Sequence, residues 1–246
     1  MACKHYYYFG ERIQSQMSGD SLNKENWDIL RNDDAEGPFS IEKDVEQYEQ
    51  NNRGAVFYEN VAKIILSELQ KRNSANKVIS LGVGKGILEW HLKNLKPDLT
   101  VECTDYTEKA IEQIKRVFIK VDAAYTFDML EGDYSQFDKD AFIIMFRVST
   151  EFNAKQWTMI FNKMNDSGVK NIIFVPVELC TRKDMVREKY NHMKRIIKHR
   201  KDIFCGWLYT EKEIKAFFRG NREKPNYSVD TEIAIENTAV FFLKHT

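Results

Sequence analysis

From residue 57 onward the chain alternates between two periods. Short apolar runs at 77–81, 99–104, 125–130, 141–148 and 169–177 are separated by stretches in which apolar positions recur every three or four residues. The runs predict buried strands and the longer period predicts amphipathic helices packed over them, the pattern of a parallel sheet with crossover helices. Helices are expected from Phe57 to about residue 72, on Val61, Ile64, Ile65 and Leu69, and over 87–95, 108–121, 155–164 and 211–219. The last opens on Thr210 with Glu213 three residues later, a capping box. Two final strands, 227–235 and 238–244, are separated by Glu236-Asn237 and predict an antiparallel hairpin. The fold class is therefore α/β: a doubly wound, mostly parallel seven-stranded sheet with a C-terminal antiparallel hairpin.

The first 56 residues carry turn signals at Gly37-Pro38 and Asn51-Asn52 and no strand-like run. They are expected to form a mainly helical or irregular cap (1–56) ahead of the regular domain (57–246). A basic helical insertion at about 181–202 carries Met185, Val186, Tyr190, Met193, Ile196 and Ile197 on one face. That face is expected to pack on the core, with the basic face in solvent or docked on acidic residues of the cap.

Composition removes whole classes. The 246 residues are 43% hydrophobic, with 37 Lys+Arg against 37 Asp+Glu, so disorder and low complexity are excluded. No run approaches the ~20 apolar residues of a membrane helix, and Lys4, Glu11, Arg12 and Asp20 interrupt any signal peptide. A cytoplasmic protein with no membrane partner is expected. Cys3, Cys103, Cys180 and Cys205 form no C-x-x-C pair, which suggests free thiols, neither a disulfide framework nor a metal site. The zero net charge hides two patches: twelve acids against five bases over 11–59, and nine bases against three acids over 182–202.

The most informative stretch is Val78-Ile79-Ser80-Leu81-Gly82-Val83-Gly84-Lys85-Gly86, a strand running into alternating glycines and then a helix. Such glycines let the backbone turn sharply and let a ligand approach the main chain. Position 87 is Ile, not the Gly or Ala of the dinucleotide fingerprint, and no Ser/Thr follows Lys85 as in a phosphate loop. Asp105 ends the second strand 21 residues after Gly84, where a carboxylate can accept from ribose hydroxyls. Asp133, followed by Tyr134, comes after the third strand, where it can accept from an exocyclic adenine amine. Phe146 and Arg147 end the fourth. All converge on the carboxyl edge of the sheet, where open α/β folds bind ligands.

On these residues the chain resembles the class I S-adenosylmethionine-dependent methyltransferases over about residues 57–246, hairpin included. The resemblance implies S-adenosylmethionine as cofactor. It implies that Gly82, Val83, Gly84 and Gly86 bracket its methionine part, that Asp105 holds the ribose, that Tyr106 flanks the adenine, and that Asp133 reads the adenine amine, with Tyr134 and Phe146 beside it. The family usually places an acid two residues before the first glycine, where it helps hold the charged methionine end; here that residue is Ser80.

The reaction expected is methyl transfer to an O or N nucleophile of a small molecule. Arg147 and Glu178, at the ends of the fourth and fifth strands, are the catalytic candidates, as orienter of an anionic acceptor and as general base. Tyr6-Tyr7-Tyr8-Phe9 is a candidate lid over an aromatic acceptor. The alternatives are an RNA or protein methyltransferase using the basic helix, with nucleic acid the less favoured partner, and a non-catalytic binding module. A homo-oligomer is allowed.

Overall fold

The computed structural model describes residues 2–32, 39–72, 76–220 and 226–246. In chain order the elements are β1 (Cys3–Tyr7), α1 (Glu11–Gln14), α2 (Lys24–Leu30), α3 (Val45–Arg53), α4 (Val56–Lys71), β2 (Lys77–Leu81), α5 (Ile87–Leu95), β3 (Thr100–Asp105), α6 (Glu108–Val117), β4 (Ala123–Thr126), β5 (Phe142–Phe146), α7 (Ala154–Asp166), β6 (Asn171–Val175), α8 (Arg182–Ile197), β7 (Ile203–Leu208), α9 (Glu211–Arg219), β8 (Tyr227–Ile235) and β9 (Thr238–His245).

Seven strands form one sheet in the order β4-β3-β2-β5-β6-β9-β8. β2 to β6 are mutually parallel, and β9 runs antiparallel between β6 and β8, so the doubly wound sheet and terminal hairpin expected from the periodicity are present. The central strands bury side chains on both faces, which explains their unbroken apolar runs. On one face Ile79, Leu81, Ile143, Met145, Ile172 and Phe174 pack under Trp157, Phe161, Phe217 and Phe218 of α7 and α9. On the other, Val78, Phe142, Ile144 and Val175 pack under α4, α5 and α6. α9 begins on the Thr210–Glu213 capping box.

Four features depart from the sequence expectation. β1 is a strand where none was expected; it pairs antiparallel with β7 in a separate two-stranded sheet, and a partner some 200 residues away leaves no local signature. β4 stops at Thr126, because Asp128 closes a turn by accepting from the N–H groups of Leu130 and Glu131 and, through its carbonyl, Gly132. The apolar residues Phe127 and Met129 are then buried from a loop. α8 has no buried residue, so its apolar face does not join the core. The acidic cap docks largely on the glycine turn: Glu42 is buried and pairs with Lys85 at 2.8 Å, while Gln113 and Arg116 of α6 donate to its carboxylate and carbonyl at 3.1 and 2.6 Å. Asp20 pairs with Lys201 at 3.1 Å.

Candidate cofactor cleft

At the carboxyl end of β2, Gly82, Gly84 and Gly86 take φ of 70°, 57° and 70°, the left-handed region that glycine enters without steric cost. The N–H groups of Gly82 and Val83 donate to the Thr104 carbonyl at 2.8 and 3.0 Å, which ties the turn to β3. The three glycines serve different ends. A Cβ on Gly82 would lie 2.7 Å from Val148 Cγ1, and one on Gly86 2.4 Å from Ile114 Cδ1, so both allow close packing. A Cβ on Gly84 would meet only Arg31 Nη2, at 3.7 Å. Gly84 is the glycine that opens on the cleft.

Asp105 is the pivot of the site. It is 1% exposed. Its Oδ2 accepts from the Gly84 N–H at 3.0 Å, and its Oδ1 accepts from the Thr107 N–H at 3.0 Å and the Thr107 hydroxyl at 2.8 Å. Oδ1 also receives the Arg31 guanidinium at 2.7 Å, and the same nitrogen bonds Thr107 Oγ1. Arg31 follows α2, whose Asn26, Trp27 and Leu30 are buried, and its guanidinium lies 5.0 Å over the Trp27 ring. The cap thus delivers a cation to the carboxylate of the candidate ribose site.

Glu151 lies beyond β5. The residue is exposed, and desolvation by the protein around its carboxyl raises its pKa to about 7. The charge of Arg31 opposes the rise and the charge of Asp105 adds to it, so these groups share one electrostatic environment. Tyr106 belongs to it as well: burial, then the charge of Glu151, raises its phenol well above the usual range.

A second carboxylate lies beneath the turn. Ser80 donates its hydroxyl to Glu89 Oε1 at 2.5 Å, and both residues are buried. Desolvation, partly offset by that hydrogen bond, raises Glu89 to about 7. The acid absent from position 80 has a counterpart supplied from the first turn of α5. The hydroxyl of Tyr48 on α3 closes the outer side of the turn by donating to the carbonyls of Lys85 and Gly86 at 3.0 and 3.1 Å.

The remaining candidates are distributed. Tyr106 is half-buried beside Asp105, and Val83 is half-buried against the helix-side core. Asp133 is exposed, and both its oxygens accept from Ser135, its N–H and its hydroxyl each at 2.8 Å. Tyr134 is a core residue: it packs on Phe127 and Phe137 and donates its hydroxyl to the Met129 carbonyl at 2.8 Å, so packing accounts for it in place of a cofactor contact. Phe146 stacks among Tyr58 and Phe57. Arg147 takes φ 58°, a strained value for a non-glycine, and is exposed with its guanidinium 5.7 Å over Phe57. Glu178 accepts from Asn237 at 3.3 Å in the hairpin turn. His91 is buried, and burial lowers its pKa. Arg31 and Glu89 carry no signal in the sequence; Glu151 does, because Arg147, Ser149 and Glu151 at the end of the fourth apolar run face the acceptor side of the cleft, although no role falls to Glu151 from the sequence alone.

Residues 55–145, from α4 through β5, match the family model described as the methyltransferase small domain. No curated protein sequence matches the chain. Among solved structures, the magnesium protoporphyrin IX methyltransferase of Synechocystis PCC 6803 with bound SAH superposes with a TM-score of 0.58 at 13% identity, over 89% of this chain and 93% of that one. The mitomycin 7-O-methyltransferase MmcR superposes at 0.55 and 11% identity, over 96% and 67%. An O-methyltransferase family 2 protein from Planctomyces limnophilus DSM 3776 in complex with apigenin superposes at 0.52 and 11%, over 76% and 62%. At such identities the likeness is one of fold. By fold the chain is similar to the class I S-adenosylmethionine-dependent methyltransferases, and its residues 55–145 match the methyltransferase small domain.

Proposed function

We propose that the cleft binds S-adenosylmethionine and directs its methyl group to an oxygen or nitrogen of a small molecule. The observation that carries this reading is the pairing of an almost fully buried carboxylate, Asp105, with the N–H of Gly84, the one turn glycine whose α-carbon opens on the cleft. The residues present fit the cofactor with one displacement. Asp105 Oδ2 has a single donor, whereas Oδ1 has three, and one of those three is the cap's Arg31. A carboxylate offers about four lone-pair sites and these four donors fill them, so a ribose hydroxyl gains a site on Asp105 when Arg31 withdraws.

The cofactor supplies an activated sulfonium methyl, so the chain need not build a nucleophile or a metal centre. What remains is to position and to exclude water. Gly84 and Asp105 fix the nucleoside end, and Trp27 and Leu30 of α2 shield that side from solvent. Glu151, in the loop beyond β5, is the group to take a proton from a hydroxyl or ammonium acceptor, a role that its elevated pKa suits near neutral pH. The structural neighbours described as acting on protoporphyrin and mitomycin support a small-molecule acceptor for this chain as well.

The test is transfer of labelled methyl from S-adenosylmethionine to a panel of small hydroxyl and amine acceptors. Because Glu151 acts as its anion, turnover rises with pH through about 7, and Glu151→Gln removes that limb and lowers kcat by about 100-fold with little change in cofactor affinity. An unchanged profile in the variant contradicts the role of Glu151; no transfer to any acceptor, with the cofactor bound, contradicts the small-molecule reading.

A further inference from the structure

α8 is oriented opposite to an ordinary surface helix. Its polar side faces the protein: Glu188 pairs with His5 at 3.0 Å, Arg195 and His192 both meet Asp202 at 2.8 and 2.9 Å, Arg195 donates to the Tyr6 carbonyl at 3.0 Å, and the Tyr6 ring stacks on His192 at 4.1 Å. Its apolar side faces outward. Val186, Tyr190, Met193 and Ile197, spaced by four, three and four residues, are 69%, 64%, 56% and 73% exposed and form one ridge along the helix. By the same periodicity Arg182 and Lys189 flank the ridge on one side, and Lys183, Arg187 and Lys194 on the other. Lys183, Lys189, Lys194 and the following Lys198 have no carboxylate partner among the described residues. The two acids of the helix are spent elsewhere, Asp184 on the Thr181 cap and on Arg187, and Glu188 on His5.

We propose that α8 is a membrane-surface helix that docks the protein on an anionic phospholipid bilayer, its ridge in the acyl boundary and its flanking lysines on the headgroup phosphates. An apolar stripe bordered on both sides by Lys and Arg, on a capped helix held to the body by its opposite face, meets the two demands of that interface at once. The alternatives satisfy one demand each. A second copy meeting α8 with α8 across a two-fold axis would set cations against cations. A nucleic acid would take the lysines and leave the ridge in water. The expectation of no membrane partner rested on the lack of a spanning segment, and indeed no described helix is long and apolar enough to cross a bilayer, but lying on a surface sets a different requirement. The proposal does not depend on the methyl-transfer reading.

The test is co-sedimentation of the full chain, at about 0.1 M salt, with vesicles of phosphatidylcholine alone and of phosphatidylcholine mixed with phosphatidylglycerol. Two variants accompany it, Met193→Ser/Ile197→Ser and Lys189→Glu/Lys194→Glu, all at exposed positions, with thermal melts to confirm that each folds. The wild type is expected to pellet with the mixed vesicles and not with the neutral ones, and each variant to lose at least about tenfold in apparent affinity. Absence of binding to the mixed vesicles overturns the proposal, as does binding that the ridge variant retains in full, which is adsorption by charge alone. Ridge-dependent self-association without vesicle binding overturns it in favour of a second copy.

Discussion

At the scale of single residues the site turns on one contested carboxylate. Arg31 and Asp105 are 74 positions apart, and no spacing rule links them; Asp105 was legible because it ends a strand at the sheet's carboxyl edge, whereas Arg31 arrives only through the docking of α2. Removing one partner of a buried pair leaves the other charge poorly compensated. Arg31→Ala should therefore lower the stability of the free protein by about 2 kcal/mol, a moderated cost because Asp105 keeps the Gly84 and Thr107 donors. The same variant should bind S-adenosylhomocysteine several-fold more tightly, because the competitor for Oδ1 is gone; denaturant melts and calorimetry read the two effects, and weaker binding would show that Arg31 holds the ligand. Glu89 carries a pH signature. Its folded-state pKa of about 7 lies above the ordinary glutamate value of 4.5, so the native state binds the proton more tightly and stability falls as pH rises from about 5 to 7. Glu89→Gln should remove a slope of up to about 1.4 kcal/mol per pH unit in that window; parallel stability curves for variant and wild type would contradict the assignment.

At the scale of elements, the strands flanked by helices were readable because each carries its own periodicity. The bounds of β2, α5, α9 and β8 coincide with those expected from the pattern of apolar positions. What could not be read depends on contacts distant in sequence. β1 and β7 pair in a two-stranded sheet apart from the main one, and the strip is pinned to the loop after β5 by the Trp207 N–H donating to the Thr150 carbonyl at 2.9 Å. Gly206 makes that approach possible: it has φ 118°, and a Cβ there would lie 1.9 Å from the Thr150 carbonyl oxygen. Gly206→Ala should destabilise the protein by about 3 kcal/mol through strain and a displaced backbone, measured by chemical denaturation; a neutral effect would mean that the β1–β7 strip moves freely against the loop. The apolar stripe of α8 shows the complementary failure, since a helical period identifies a face but not the side on which the protein lies.

At the scale of the whole molecule, the carboxyl edge of the sheet is closed by a cap whose docking is electrostatic as well as apolar. Glu42 ties the cap to Lys85 and α6, Tyr48 to the glycine turn, and Arg31 to Asp105. Of the cap's acids, Glu42 answers Lys85 at the glycine turn and Asp20 answers Lys201, while Lys183, Lys189 and Lys194 of α8 flank its outward ridge. The fold, the glycine turn and Asp105 were accessible from one sequence because strand ends and glycine conformations are local matters. The cap's contribution was not, because it is fixed by three-dimensional docking alone.

The measurement that bears most directly on this account is calorimetric titration of S-adenosylhomocysteine into the wild type and into Gly84→Val and Asp105→Asn variants. Micromolar binding to the wild type is expected, with loss of at least about 100-fold in each variant and with Gly84→Val still folded, because its side chain enters open cleft and strains only the local φ. No binding to the wild type, or equal binding to all three proteins, would contradict the assignment of the Gly84–Asp105 cleft as the cofactor site.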